Sequence, residues 1–292
     1  MRIATYRTER RVEVGVLSND GSSLTPYDLS PAQAERGLLA LLEADVAVLP
    51  LRDVDHPLKF SNVELLAPIP RPARNIFCVG KNYHEHVEEI ARAGFDTTGG
   101  GNETPTAPIV FSKLPECVIG SGQPILHASE VTGQLDYEAE LGVIIGRKAR
   151  GIRQADAMEH IWGYTIINDV TARDIQKRHK QWLLGKSQDS FCPMGPFAVT
   201  RDEIDLSNTQ IQCWVNEELR QDGNTAHMIF DVPTLLETIS AGITLYPGDI
   251  IATGTPAGVG AGLEPQQFLH AGDEVRISIE PIGELRNPVA DI

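Results

Sequence analysis

Residues 137–146 read Tyr137-Glu138-Ala139-Glu140-Leu141-Gly142-Val143-Ile144-Ile145-Gly146. As a β-strand, its period of two puts Glu138 and Glu140 on one face and Ala139, Leu141, Val143 and Ile145 on the other. Spacing alone leaves two readings open: a solvated outer face on an edge strand, or a carboxylate pair turned into the protein. The flanking residues favour the second, because Gly142 and Ile144 continue the carboxylate face without further charge. An enclosed pair of like charges must take up a proton or bind a cation. A hard divalent ion with oxygen ligands would resolve the conflict.

Outward from this strand, further strand-like runs fall at 75–79, 109–112, 163–168, 210–215, 249–252 and 275–279. Short helices are predicted near 154–161, 171–178 and 233–241, the last between an Asp231 cap and a Gly242 stop. Strands and helices do not alternate regularly. The expectation is an α+β chain, mostly β, folded as a mixed β-sandwich or roll with peripheral helices, not a doubly wound sheet or an eightfold barrel. Upstream, strands at 3–6 and 12–17 precede a helix that opens at Ser30, has Pro31 at its first position and Gln33 as capping-box partner, and continues to about Glu43. The stretch 47–74 is irregular and carries Pro50, Pro57, Pro68, Pro70 and Pro72, so a boundary is placed between a small β-rich domain (1–71) and the main domain (72–292). A helix at 84–93 is stopped by Gly94. The loop 96–108, with Gly99-Gly100-Gly101, is expected to be mobile.

The 292-residue chain is 41% hydrophobic and 22% charged, ordinary for a folded protein, and has no apolar run long enough to cross a bilayer. Its 40 acidic and 25 basic residues give a net charge of -15, which argues against nucleic acid and anionic lipid surfaces as partners. An anionic small substrate would need a local group of Lys and Arg, or a metal. The four cysteines, Cys78, Cys117, Cys192 and Cys213, have neither disulfide-scaffold nor zinc-site spacing, and the first residues do not read as a secretory signal. A reducing, cytoplasmic setting is expected. The sequon Asn102-Glu103-Thr104 then has no chemistry to report.

Asp169, ending the apolar run 163–168, offers a third oxygen ligand, although an Asp there could equally cap the following helix. Three carboxylates without His or Cys suit Mg²⁺, Mn²⁺ or Ca²⁺ better than Zn²⁺. His86 and Glu89 are three apart on a predicted helix, so the carboxylate can orient the imidazole for proton transfer; a polar exposed helix is the plainer alternative. His84 and His86, two apart, would not face one another. Arg173, Gln176 and Lys186 could clamp a carboxylate or keto oxygen, or lie on a solvated helix face. The Gly-rich turn at 252–260 offers backbone N–H groups to an anion. It is not a nucleotide loop, since Leu263 stands where the last glycine of G-x-G-x-x-G would be.

The ordered set of Val79-Gly80-Lys81-Asn82-Tyr83 with His86 and Glu89, then Asp136-Tyr137-Glu138-Ala139-Glu140-Leu141, Asn168-Asp169-Val170-Thr171-Ala172-Arg173-Asp174, Lys186, and Gly254-Thr255-Pro256-Ala257-Gly258 resembles the fumarylacetoacetate hydrolase family over about residues 72–285. The resemblance implies a mixed β-sandwich roll, commonly a homodimer. It implies Glu138, Glu140 and Asp169 as ligands of Mg²⁺ (or Mn²⁺ or Ca²⁺), and His86, Glu89 and Lys186 as catalytic groups. Arg173, Gln176, Thr255, Tyr83 and Lys113 would be substrate contacts. Val79 stands where the animal-type members carry a fourth carboxylate ligand, which points to the bacterial, acylpyruvate-like branch. The implied reaction is hydrolysis of a carbon-carbon bond in a 2,4-dioxo acid to pyruvate and a carboxylic acid. The same chemistry without water attack would decarboxylate or isomerise a 2-oxo diacid such as oxaloacetate, or a 2-hydroxy-dienedioate. A binding protein that recognises dicarboxylates without turnover is the alternative from another class.

Overall fold

The predicted central strand runs Ala139–Ile145 in a 12-stranded sheet, antiparallel to Ile161–Asn168 on one side and to Ile250–Ala252 on the other. The computed structural model describes residues 1–44, 49–53 and 57–292. Every residue of Ala139–Ile145 is buried, which fits its continuous apolar run and shows that the sheet is covered on both faces here. Next in order, Ile76–Gly80 lies parallel to Ile250–Ala252 and antiparallel to Ile109–Lys113. The sheet therefore mixes parallel and antiparallel pairs. A second, five-stranded sheet is built from Glu218–Asn224, Gln210–Val215, Glu274–Ile279, Gly283–Asp291 and Ile125–His127. Ile211, Cys213, Val275, Ile277, Leu285 and Val289 from this sheet join Leu141, Val143, Ile166 and Ile250 of the first in one core cluster.

The register sets the position of the site. Ala139–Ile145 runs opposite to both of its neighbours, so its N-terminal end lies beside their C-terminal ends. Glu138 and Glu140 thus meet Asp169, which follows Ile161–Asn168, and the Gly-rich turn that follows Ile250–Ala252. The parallel strand Ile76–Gly80 ends on the same side and delivers Lys81 and the helix His84–Arg92.

Several elements differ from expectation. The helix expected from Ser30 to about Glu43 is two helices, Pro31–Ala34 and Leu38–Glu43. The Ser30–Gln33 capping box forms as expected, but Gly37 adopts φ 62° and the Leu38 N–H donates to the Pro68 carbonyl at 2.8 Å, so the backbone leaves the helical path. The long strand Cys192–Thr200 does not stand out in the sequence, because Pro193, Gly195 and Pro196 interrupt its pattern. Its pairing with Ile161–Asn168 shifts register between Tyr164 and Ile166, which accommodates Pro196 in the bulged segment. The N-terminal strand Arg2–Arg7 pairs with Cys192–Thr200, so the first strands extend the same sheet as the site. Within the irregular stretch 47–74, residues 47–48 and 54–56 lie outside the described residues. No helix among the described residues is long and apolar enough to cross a membrane.

Candidate active site

Glu138, Glu140 and Asp169 bring one carboxylate oxygen each to within 4.8 Å of one another, and all three are buried. Glu138 precedes Ala139–Ile145 instead of lying within it; its N–H donates to Asn168 Oδ1 at 3.0 Å and its carbonyl accepts from Asp169 N at 2.9 Å. Asp169 does not cap the next helix. That helix, Arg173–His179, has Ala172 at its N-cap position, and the Asp169 carboxylate accepts instead from Lys113 Nζ at 2.6 Å and Lys186 Nζ at 2.8 Å. Glu138 is paired with Lys186 at 2.7 Å and with Arg173 at 2.7 Å.

Charge does not balance in this cluster. Asp136, Glu138, Glu140 and Asp169 face Lys113, Arg173 and Lys186, and Glu140 forms no ion pair among the described residues. Its carboxylate accepts from the Gly254 N–H at 2.9 Å. Burial, then repulsion from Asp169 and Glu138, pushes the Glu140 carboxyl well above the ordinary range. Burial acts on Glu138 in the same direction, but Lys186, Arg173 and His86 outweigh it and hold that carboxyl below its ordinary value. The surplus negative charge on an all-oxygen donor set fits a hard divalent cation. Glu138, Glu140 and Asp169 are the residues that would hold it.

His86 and Glu89 lie on one face of His84–Arg92 and are buried, whereas His84 is exposed. His86 Nδ1 is 3.1 Å from Glu89 Oε2, which leaves Nε2 for proton transfer. Glu89 is itself held, because its Oε1 accepts from the Gly258 N–H at 2.9 Å. The Gly-rich turn therefore cradles anions that belong to the protein. Gly254 serves Glu140 and Gly258 serves Glu89, while Gly260 and Ala261 donate to Asp136 at 2.7 and 3.0 Å. Thr255 Oγ1 donates to the Ala139 carbonyl at 2.9 Å and accepts from Gln221 Nε2 at 2.7 Å.

One cavity brings the functional side chains together. His86, Glu138, Glu140, Arg173, Gln176, Lys186 and Thr255 all reach it. Two residues expected as substrate contacts do not. Lys113 is fully buried behind Asp169, where its ammonium is spent on that carboxylate and on the Val170 and Lys186 carbonyls. The Tyr83 hydroxyl is buried with no hydrogen-bond partner among the described residues, and Tyr83 borders a separate groove with His84, Asp222 and Met228. Asp136 went unassigned in the sequence. Fully buried, it accepts from Arg173 Nε at 2.8 Å and so aims that guanidinium at Glu138. Its only sequence signal was its place directly before the Glu138–Glu140 pair.

The start of the loop 96–108, expected to be mobile, is tied over the cavity. Lys81 Nζ meets Asp96 at 2.7 Å and Thr98 Oγ1 at 2.8 Å, and Trp182 Nε1 donates to Thr97 Oγ1 at 2.6 Å. Trp182 packs edge-on against Phe111, closing the apolar side.

The family model for the fumarylacetoacetate (FAA) hydrolase C-terminal domain matches residues 75–290. The chain belongs to the fumarylacetoacetate hydrolase family. Among curated relatives, oxaloacetate tautomerase YisK of Bacillus subtilis (strain 168) is 50% identical over 230 residues, covering 78% of this chain and 74% of that protein. A solved fumarylacetoacetate hydrolase from psychrophilic Exiguobacterium antarcticum is 42% identical, with TM-score 0.81 over the full length of both chains. Maleylpyruvate hydrolase from Sphingobium sp. SYK-6, solved with manganese(II) and pyruvate, is 28% identical with TM-score 0.76, covering 100% of this chain and 99% of that one. The family is one of enzymes, and its members include both a tautomerase and hydrolases.

Proposed function

We propose that this chain is a metal-dependent tautomerase of a 2-oxo dicarboxylic acid such as oxaloacetate. The observation that carries the reading is that His86, oriented by Glu89, shares one cavity with Glu138, Glu140, Lys186 and Arg173, with Asp169 beside the two glutamates. Half-identity to a protein named as an oxaloacetate tautomerase supports the choice of reaction. A divalent cation on the three carboxylates would supply Lewis-acid stabilisation of charge developing on the 2-oxo oxygen.

The protein's own residues do the rest. His86 Nε2 takes a proton from the carbon next to the keto group, and Glu89 stabilises the imidazolium that results. Lys186 and Arg173 offset the negative charge that moves onto oxygen, from positions fixed by Glu138, Asp169 and Asp136. The same proton is returned at that oxygen, so keto and enol forms interconvert with no atom gained or lost. Phe111 and Trp182 keep bulk water from the apolar side of the cavity.

Carbon-carbon hydrolysis of an acylpyruvate is the second reading. It is favoured by the same His86–Glu89 pair, which could instead activate a water. The purified protein, with Mg²⁺ or Mn²⁺, is to be incubated with oxaloacetate, acylpyruvates and fumarylpyruvate and the products identified by mass. Faster keto–enol exchange at unchanged mass supports tautomerisation. Pyruvate plus a carboxylic acid supports hydrolysis, and carbon dioxide plus pyruvate from oxaloacetate supports decarboxylation. The homodimer expected from the family is likewise proposed, and would elute at twice the 31.9 kDa chain mass.

A further inference from the structure

The cavity contains one cation that the metal-side carboxylates do not use. Lys186 and Arg173 are committed to Glu138, Asp169 and Asp136, but among the described residues the Lys81 ammonium bonds only to the loop that covers the site. It meets Asp96 Oδ1 at 2.7 Å, Thr98 Oγ1 at 2.8 Å and the Gly101 carbonyl at 3.2 Å. Lys81 is buried and holds φ 55°, a left-handed conformation that glycine would adopt without strain. A side chain kept at such a position, inside a cavity, points to a use for its head group.

Asp96 has partners besides Lys81. Its carboxylate also accepts from Thr98 N at 2.9 Å, Thr98 Oγ1 at 2.7 Å and Gly101 N at 2.7 Å, all within its own loop. The ammonium can therefore leave Asp96 without leaving a bare buried charge, while Thr98 and Gly101 still accept two of its three N–H groups. Apart from Asp96 and Thr97 of the covering loop and the polar groups named above, the cavity lining is apolar: Val79, Ile90, Phe95, Phe111 and Trp182. A carboxylate pointing away from the metal-side carboxylates has no other uncommitted cation among the described lining residues.

We propose that Lys81 is the specificity-determining residue of the site, exchanging Asp96 for the distal carboxylate of a dicarboxylate ligand and so selecting dicarboxylic over monocarboxylic 2-oxo acids. This deepens the functional reading above and rests on it for the identity of the reaction. The selection itself is a binding property and can be measured without turnover.

The test uses L-malate and L-lactate as probes. Both are 2-hydroxy acids, and they differ at the distal carboxylate. Calorimetry on the Mg²⁺-loaded full chain is expected to give wild type a preference for malate of about tenfold or more. Lys81→Met is expected to abolish the preference, and Lys81→Arg to restore part of it, with urea midpoints showing that both variants fold. The ratio of kcat/KM for oxaloacetate over 2-oxobutanoate, read as C3 deuterium exchange, should fall at least tenfold in Lys81→Met. Equal binding of the two probes by wild type, or of neither, overturns the inference. So does a preference that survives in Lys81→Met, or an equal loss on both ligands, which is what a residue that merely holds the loop would produce. If wild type prefers malate through Lys81 yet exchanges deuterium with neither 2-oxo acid, the proposed reaction fails and the Lys81 assignment stands.

Discussion

Gly262→Ala tests the base without touching it. Gly262 ends the short helical turn Gly260–Gly262 and is buried, and its backbone is outside the left-handed region, so alanine adds no strain of that kind. A Cβ there would stand 2.1 Å from Glu89 Cγ and 2.2 Å from both Cδ and Oε1. Carbon atoms pack at about 3.5 Å or more, so the Glu89 carboxylate must retreat by roughly 1.4 Å. Its 3.1 Å contact with His86 Nδ1 and its 2.9 Å bond from Gly258 N would both break. Misplacement of a catalytic group by about 1 Å can cost on the order of 100-fold in rate. The expected result is a kcat for oxaloacetate tautomerisation lower by about 100-fold, followed by the absorbance of the enol. Mn²⁺ affinity, measured by calorimetry, should stay within about threefold, because no carboxylate of the metal set is displaced. A variant with kcat within threefold of wild type would refute the role assigned to Glu89.

Glu138→Gln should weaken Mn²⁺ binding by at least about 100-fold and abolish metal-dependent turnover, whereas His86→Ala should lose turnover with metal binding intact; calorimetry and the enol assay read the two together. Asp136→Asn removes the partner of the buried Arg173 guanidinium and an acceptor of the Gly260 and Ala261 N–H groups, so urea unfolding should show a loss of about 3–5 kcal/mol. The Asp96 carboxyl is pushed up by burial but held well below its ordinary range by Lys81, Thr98 and the Gly101 N–H. Its folded value lies below the unfolded one of about 4, so the loop contacts it supports are present above that pH and lost as the pH falls further. Hydrogen exchange across residues 97–101, corrected for intrinsic rate, should accelerate below about pH 4 and not between pH 5 and 8.

The site was more legible than the fold around it. The Glu138–Glu140 and His86–Glu89 pairs could be read because local spacing places them, two residues apart at the start of a strand and three apart on a helix, whereas Asp169 joins the glutamates through the pairing of Ala139 with Asn168. Asp136 and Lys113 could not be read that way. Their roles depend on Arg173, Gly260 and Asp169, which only the sheet register brings beside them. Lys113 was expected among the substrate contacts, yet a lysine in an apolar strand gives no sign of whether its ammonium will face a cavity or a buried carboxylate. The Gly-rich turn was recognised as an anion cradle, but that its anions are Glu140, Glu89 and Asp136 follows from tertiary contacts alone. In the fold, Cys192–Thr200 was missed because prolines mask a strand whose bulge tolerates them, and Glu218–Asn224 because its residues are polar.

The proposed reaction turns on one step: His86, held by Glu89, takes a proton from the carbon beside a keto group, next to carboxylates that would hold a divalent cation. Deuterium incorporation at C3 of oxaloacetate in D₂O, followed by NMR with Mn²⁺ replaced by Mg²⁺ to avoid broadening, measures that step. The expected result is exchange at least about 100-fold above the Mg²⁺-only background, lost on chelation and in His86→Ala, with oxaloacetate otherwise intact. Exchange at the background rate, or pyruvate accumulating as fast as deuterium enters, would contradict it.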